Sequence, residues 1–152
     1  MERFEMVPVG RVVSTRSEVS DDGWDAEHAA IELLPPFDER AWRGLEAFSH
    51  CVVITLLDRA VGDLTRMLRR PRGNPDWPEV GIFAQRVKDR PNRLGLTTCR
   101  IVGVDGMVLR VGGLDAVDGT PVLDVKPHLV EFGARGTVHQ PSWATELMSG
   151  YW

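Results

Sequence analysis

Apolar and polar positions along this chain change places in short runs, and turn residues interrupt nearly every run. VPVGRVVS, residues 7–14, is rich in β-branched residues and reads as a strand. A polar loop through Ser20, Asp21, Asp22 and Gly23 leads to AAIELL, a second strand stopped by Pro35-Pro36. DERAWRGLEAF predicts a helix, since Ala41, Trp42, Leu45 and Phe48 fall on one face. Asp38 precedes it, where a short carboxylate can accept from the first-turn amides. HCVVITLLD is continuously apolar from His50 to Leu57 and predicts a central strand buried on both faces.

The second half keeps this texture. Residues 59–78 are polar, basic and rich in Pro and Gly, which predicts a surface excursion with one short helical piece over 64–68. EVGIFAQR then returns to the sheet, and LTTCRIVGVDGMVLRVGGL forms a hairpin with Asp105-Gly106 at its tip. TPVLDVKP is a further strand, in which a period of two sets Val122, Asp124 and Lys126 on one face. QPSWATELMSGYW predicts an amphipathic helix at about 142–150, with Ser142 as N-cap and Trp143, Leu147 and Met148 together. Short strands joined by turns, with few helices, imply an all-β or mainly β barrel rather than a doubly wound α/β fold, forming one domain over 1–152. No GxGxxG links a strand to a helix, which removes support for a Rossmann nucleotide site.

Charge and cysteine content narrow the class. A net charge of −4 opposes wholesale wrapping of nucleic acid, yet basic residues concentrate locally. Arg66, Arg69, Arg70 and Arg72 crowd into TRMLRRPRG; Arg86, Lys88, Arg90 and Arg93 crowd into AQRVKDRPNR. Cys51 and Cys99 lie in apolar runs and read as reduced core residues of a cytoplasmic protein. No apolar run approaches the roughly 20 residues that span a bilayer, and MERFEMVPVG lacks the apolar core of a signal peptide. His50, at the entry to a buried strand, reads as a hydrogen-bonded core residue and His128 as packing or pocket wall, while His28 and His139 give no metal-ligand spacing, so no metal is expected.

Two segments carry candidate chemistry. GIFAQRVKDRPNRLGLT begins as a strand and breaks at Pro91-Asn92, where a fixed turn either aims backbone groups at a ligand or is simply solvated. GGLDAVDGTPVLDVKP sets Asp115 and Asp118 before Gly119-Thr120, with Asp124 and Lys126 behind. A carboxylate there suits ribose hydroxyls or an ammonium; alternatively Asp124 and Lys126 form an ordinary surface pair.

In this order the segments resemble the TrmO/TsaA-like family. The matching stretches are Gly81-Ile82-Phe83-Ala84-Gln85-Arg86, Arg90-Pro91-Asn92-Arg93-Leu94-Gly95-Leu96-Thr97 and Asp115 through Pro127, with PVGRVVS and RGLEAFSH upstream. The resemblance spans roughly residues 7–130. It implies a mainly β, single-sheet antiparallel barrel that binds S-adenosylmethionine, works as a homodimer and methylates N6 of threonylcarbamoyladenosine beside the tRNA anticodon. It assigns the cofactor to Phe83, Ala84, Gln85, Arg86, Pro91, Asn92, Leu94, Gly95, Leu114, Asp118, Gly119, Thr120 and Pro121. Asp118 and Asp124 are then the candidate bases, and Arg86, Arg90, Lys126, Arg69, Arg70 and Arg72 the candidate contacts to a tRNA substrate.

The match departs in two loops. Gln85, Val87, Lys88, Asp89 and Arg93 occupy variable places of the RPN loop, and TRSEVSDDGWDAEHAAIEL lacks the family's Pro-Arg-Gln triplet, presenting acids instead. Those departures keep two other readings in play: the same fold and cofactor with a small-molecule or different nucleotide acceptor, or a non-catalytic module that senses the cofactor or binds a partner.

Overall fold

The computed structural model describes Met1–Trp152. Six antiparallel strands close into a barrel: β1 (Gly10–Ser14), β2 (His28–Leu33), β3 (His50–Leu56), β6 (Leu94–Asp105), β7 (Val108–Gly112) and β8 (Pro121–Pro127). Their order around the wall is β1-β2-β7-β6-β3-β8, with β8 returning to β1 through Val122 and Gly10. Alternation selects the inside: Val12, Ile31, Val53, Leu109, Val111 and Val122 point inward and are almost wholly buried. Cys51 and Cys99, both free, face one another across β3 and β6 within this core. No helix is long and apolar enough to cross a membrane.

Several local expectations change once the chain is folded. β3 is buried on one face rather than two, because inward Cys51, Val53 and Thr55 alternate with half-buried neighbours on the barrel's outside. The predicted helix after Asp38 is two 3-10 turns, Glu39–Trp42 and Leu45–Ala47, interrupted at Gly44, whose φ of 89° is left-handed. Its cap and anchor survive: Asp38 accepts from the Arg40 amide at 3.0 Å, and Trp42 packs into the core. The hairpin turns at Gly106-Met107, one residue later than the sequence suggests, with Asp105 paired to Val108. Residues 64–68 form no helix, since Asp63 accepts from the amide and hydroxyl of Thr65 and holds a turn.

EVGIFAQR leaves the barrel instead of rejoining it. Val80–Gly81 (β5) pairs with Leu68–Arg69 (β4) in a separate two-stranded ribbon, and Ile82–Ala84 winds into a 3-10 turn. A bulge in β8 breaks the predicted shared face: Thr55 opposes Val122 while Ile54 opposes Asp124, leaving Leu123 extra. Val122 therefore points inward, and Asp124 and Lys126 point out. The final helix α1 (Ser142–Met148) begins after Pro141, with Ser142 inside its first turn and no side-chain cap.

Candidate active site

An open cleft of about 1490 Å³ lies beside the barrel, between the loop from Phe83 to Thr98, the segment from Asp115 to Thr120 and the chain's last residues. The RPN turn shapes one wall. Asn92 and Arg93 both hold left-handed backbone, φ 62° and 49°, a conformation asparagine tolerates better than most residues. The turn leads directly into β6, so Leu94, Gly95 and Leu96 continue the wall at a strand edge. Opposite, Val117 and Thr120 close a tight turn through the Thr120 hydroxyl, which donates to the Val117 carbonyl at 2.7 Å.

Arginines dominate the polar lining, and most also fasten loops. Arg86 donates to the Leu96 carbonyl at 2.6 Å, and Arg90 to the Gln85 carbonyl at 3.0 Å. Gln85 in turn donates to the Arg69 and Val80 carbonyls at 3.2 Å, tying the ribbon to the loop. Arg69 lies 3.8 Å from Asp89, and Arg70 donates to the Trp77 carbonyl. Arg72 forks onto Asp22 at 2.6 and 3.1 Å and holds that carboxyl below its usual range. A guanidinium carries five donors, so each keeps some for a ligand.

The residues read from the sequence thus divide. Phe83, Gln85, Arg86, Arg90, Pro91, Asn92, Leu94, Gly95 and Thr120 line the cleft, as do Arg69, Arg70 and Arg72. Phe83 stands 82% exposed at its rim, a flat apolar ring with nothing on it. Ala84, Leu114, Gly119 and Pro121 do not line the cleft: Ala84 is exposed, and Leu114 lies deep in the core. The two candidate bases lie outside the cleft. Asp118 accepts from the Ser14 amide at 3.0 Å, stapling β1, and Asp124 pairs with Lys126 at 2.7 Å on the outer face of β8.

Three further groups line the cleft: Asp115, which the sequence offered only as a carboxylate for ribose or an ammonium, Thr97, which it gave no role of its own, and Tyr151, which it read as packing. One Asp115 oxygen accepts from the Thr97 hydroxyl and the other from the Tyr151 hydroxyl. Burial, reinforced by this carboxylate, pushes the Tyr151 hydroxyl up. Tyr151 reaches the cleft because the chain end pairs with the β1–β2 loop: Gly23 and Trp24 donate to the Gly150 and Tyr151 carbonyls at 3.1 and 2.9 Å. Trp24 is itself buried beneath Arg16, whose guanidinium lies 3.5 Å from the ring centre. The sequence signal was the terminal Tyr-Trp pair, which reads equally well as packing.

A model of the tRNA-methyltransferase O N-terminal domain family matches residues 15–134, the span that builds both walls of the cleft. The chain belongs to that family. It is 38% identical over 104 residues to the tRNA (adenine(37)-N6)-methyltransferase of Escherichia coli, covering 65% of this chain and 44% of that protein. It is also 38% identical over 133 residues to a "Probable S-adenosyl-L-methionine-binding protein" of Methanothermobacter thermautotrophicus, covering 85% and 93%. The crystal structure of TrmO from Pseudomonas aeruginosa superimposes with a TM-score of 0.74 at 30% identity, covering 91% of this chain and 61% of that one. The chain spans under half the length of several curated relatives it matches. The shared barrel bears out the mainly β fold, and family membership bears out the TrmO resemblance.

Proposed function

We propose that this chain is an S-adenosylmethionine-dependent methyltransferase acting on tRNA, with N6 of threonylcarbamoyladenosine beside the anticodon as its acceptor. One observation carries the reading: the RPN turn, the Asp115–Thr120 segment and an arginine-rich wall converge on a single cleft in a TrmO-family barrel. The lining suits a ligand that is at once cationic, anionic and aromatic. Arginines match its carboxylate, the rim carboxylates Asp21 and Asp58 its positive charge, and Leu94, Leu96, Ala116 and Val117 its flat ring.

The bound cofactor supplies an electrophilic methyl group; the chain supplies alignment and charge. Arg86 and Arg90, fixed by carbonyl contacts, present guanidinium forks for bidentate recognition of an acceptor carboxylate. Phe83 offers an exposed ring for a nucleobase at the rim, and Arg66, Arg70 and Arg72 extend a basic strip for phosphates. Holding two reactants in line in this way removes much of the entropic barrier to transfer. Leu94, Leu96 and Val102 leave an apolar stripe exposed on β6, which supports a homodimer joined close to the cleft. The reading is of a cytoplasmic protein, in keeping with two reduced core thiols.

The test is calorimetric titration with S-adenosylmethionine, followed by transfer to threonylcarbamoylated tRNA. Asn92→Gly keeps the left-handed turn while removing the side chain, and we expect it to weaken cofactor binding about tenfold. Neutralising Arg70 and Arg72 together should leave cofactor affinity unchanged, weaken tRNA and flatten its salt dependence. A wild-type chain that binds no cofactor ends the proposal; one that binds it but methylates only small acceptors redirects the substrate.

A further inference from the structure

Five carboxylates border the cleft, and four have evident reasons to be there. Asp21, Asp58 and Glu79 are exposed at the rim, and Asp89 is engaged by Arg69 and by the Gly62 amide at 3.0 Å. Asp115 is half-buried and is held by two neutral hydroxyls, with no cation paired to it. Thr97, 6% exposed, comes from β6, and Tyr151 from the docked chain end, 36 residues beyond Asp115. Hydroxyl donors orient a carboxylate without cancelling its charge. Each oxygen also keeps acceptor capacity for a third, external donor.

Building on the methyl-transfer reading above, we propose that Asp115 takes the proton that the acceptor nitrogen loses, and that Tyr151 positions Asp115 for this role. In the step, the N–H bond breaks and its proton passes to an Asp115 oxygen. The nitrogen pair forms the new bond to the methyl carbon, and the former carbon–sulfur pair stays on sulfur as a neutral thioether. Asp115 then releases its proton to water through the open cleft. The charged and titratable groups around the pair are Arg86 from the RPN loop, Asp21 from the β1–β2 loop, Arg72 beside the ribbon and the buried Cys99 of β6.

The chain has one tyrosine, so alkaline absorbance titration follows the Tyr151 phenol alone and needs neither cofactor nor acceptor. In Asp115→Asn the phenol should ionise at lower pH than in wild type, because the neighbouring negative charge is gone. The same variant should bind S-adenosylmethionine within about threefold of wild type, yet transfer to threonylcarbamoylated tRNA about 10²–10⁴-fold more slowly. Tyr151→Phe should keep cofactor affinity, slow transfer about tenfold and move the acid limb of kcat/KM up by about one unit, since the carboxylate loses a donor to its charged form. An Asp115→Asn protein that transfers within threefold of wild type, or loses the cofactor altogether, overturns the assignment while leaving the methyl-transfer reading standing. If that variant does not fold, an unmoved acid limb in Tyr151→Phe overturns it instead. Wild type that binds cofactor but methylates neither tRNA nor any small acceptor removes both.

Discussion

At the scale of single residues, close backbone approach decides which side chains the barrel tolerates. A Cβ on Gly10 would lie 2.8 Å from the Glu32 carbonyl oxygen, and backbone on a paired strand cannot step aside. Gly10→Ala should therefore cost about 1–3 kcal/mol, read as a lower denaturation midpoint with unchanged m-value. Gly95 is equally restricted, because a Cβ there runs into the Thr55 hydroxyl, and this fixes the start of β6 where it borders the cleft. None of these approaches is written in local sequence. What was legible at this scale was the RPN motif itself; that Asn92 and Arg93 both turn left-handed became visible only with backbone geometry.

At the scale of elements, the C-terminal segment is the piece most dependent on its neighbours. A seven-residue helix without a side-chain cap is too short to persist alone in water. It is held by the backbone bonds from Gly23 and Trp24 and by the Trp77 indole, which donates to Glu146 at 2.8 Å. Glu146→Ala should raise amide hydrogen exchange across residues 144–151 about tenfold while shifting Tm by no more than a degree or two. Barrel protection that falls equally would show that the segment unfolds only with the whole molecule. Because Tyr151 sits on this segment, its docking and the shape of the cleft change together.

At the scale of the molecule, the barrel interior hides two thiols that the unfolded chain would expose. Burial pushes Cys51 from 9.0 to about 11, and pushes Cys99 and the Tyr151 hydroxyl up as well. A raised folded value means the unfolded chain loses its protons first, so stability is intact below about pH 9 and is lost as pH rises toward 11. For Cys51, two units of difference correspond to about 3 kcal/mol. Thermal melts from pH 7 to 11 should show this decline, and Cys51→Ala should lower the plateau but flatten the slope. An unchanged slope in that variant would assign the alkaline loss to other groups.

The sequence by itself determined most of the strands, the Asp38 cap and the order of family motifs, because each is encoded by neighbours a few positions apart. Only the tertiary structure decided the rest. The bulge at Leu123 moved Asp124 and Lys126 to the barrel's outer face, and the Ser14 amide drew Asp118 away from the cleft. Gly44 cut the predicted helix, and the ribbon took β5 out of the main sheet. Thr97, Asp115 and Tyr151 meet only because barrel closure and the docked chain end bring distant segments together. Periodicity reports which face a residue takes, whereas a hydrogen bond across 36 residues depends on how every intervening element packs.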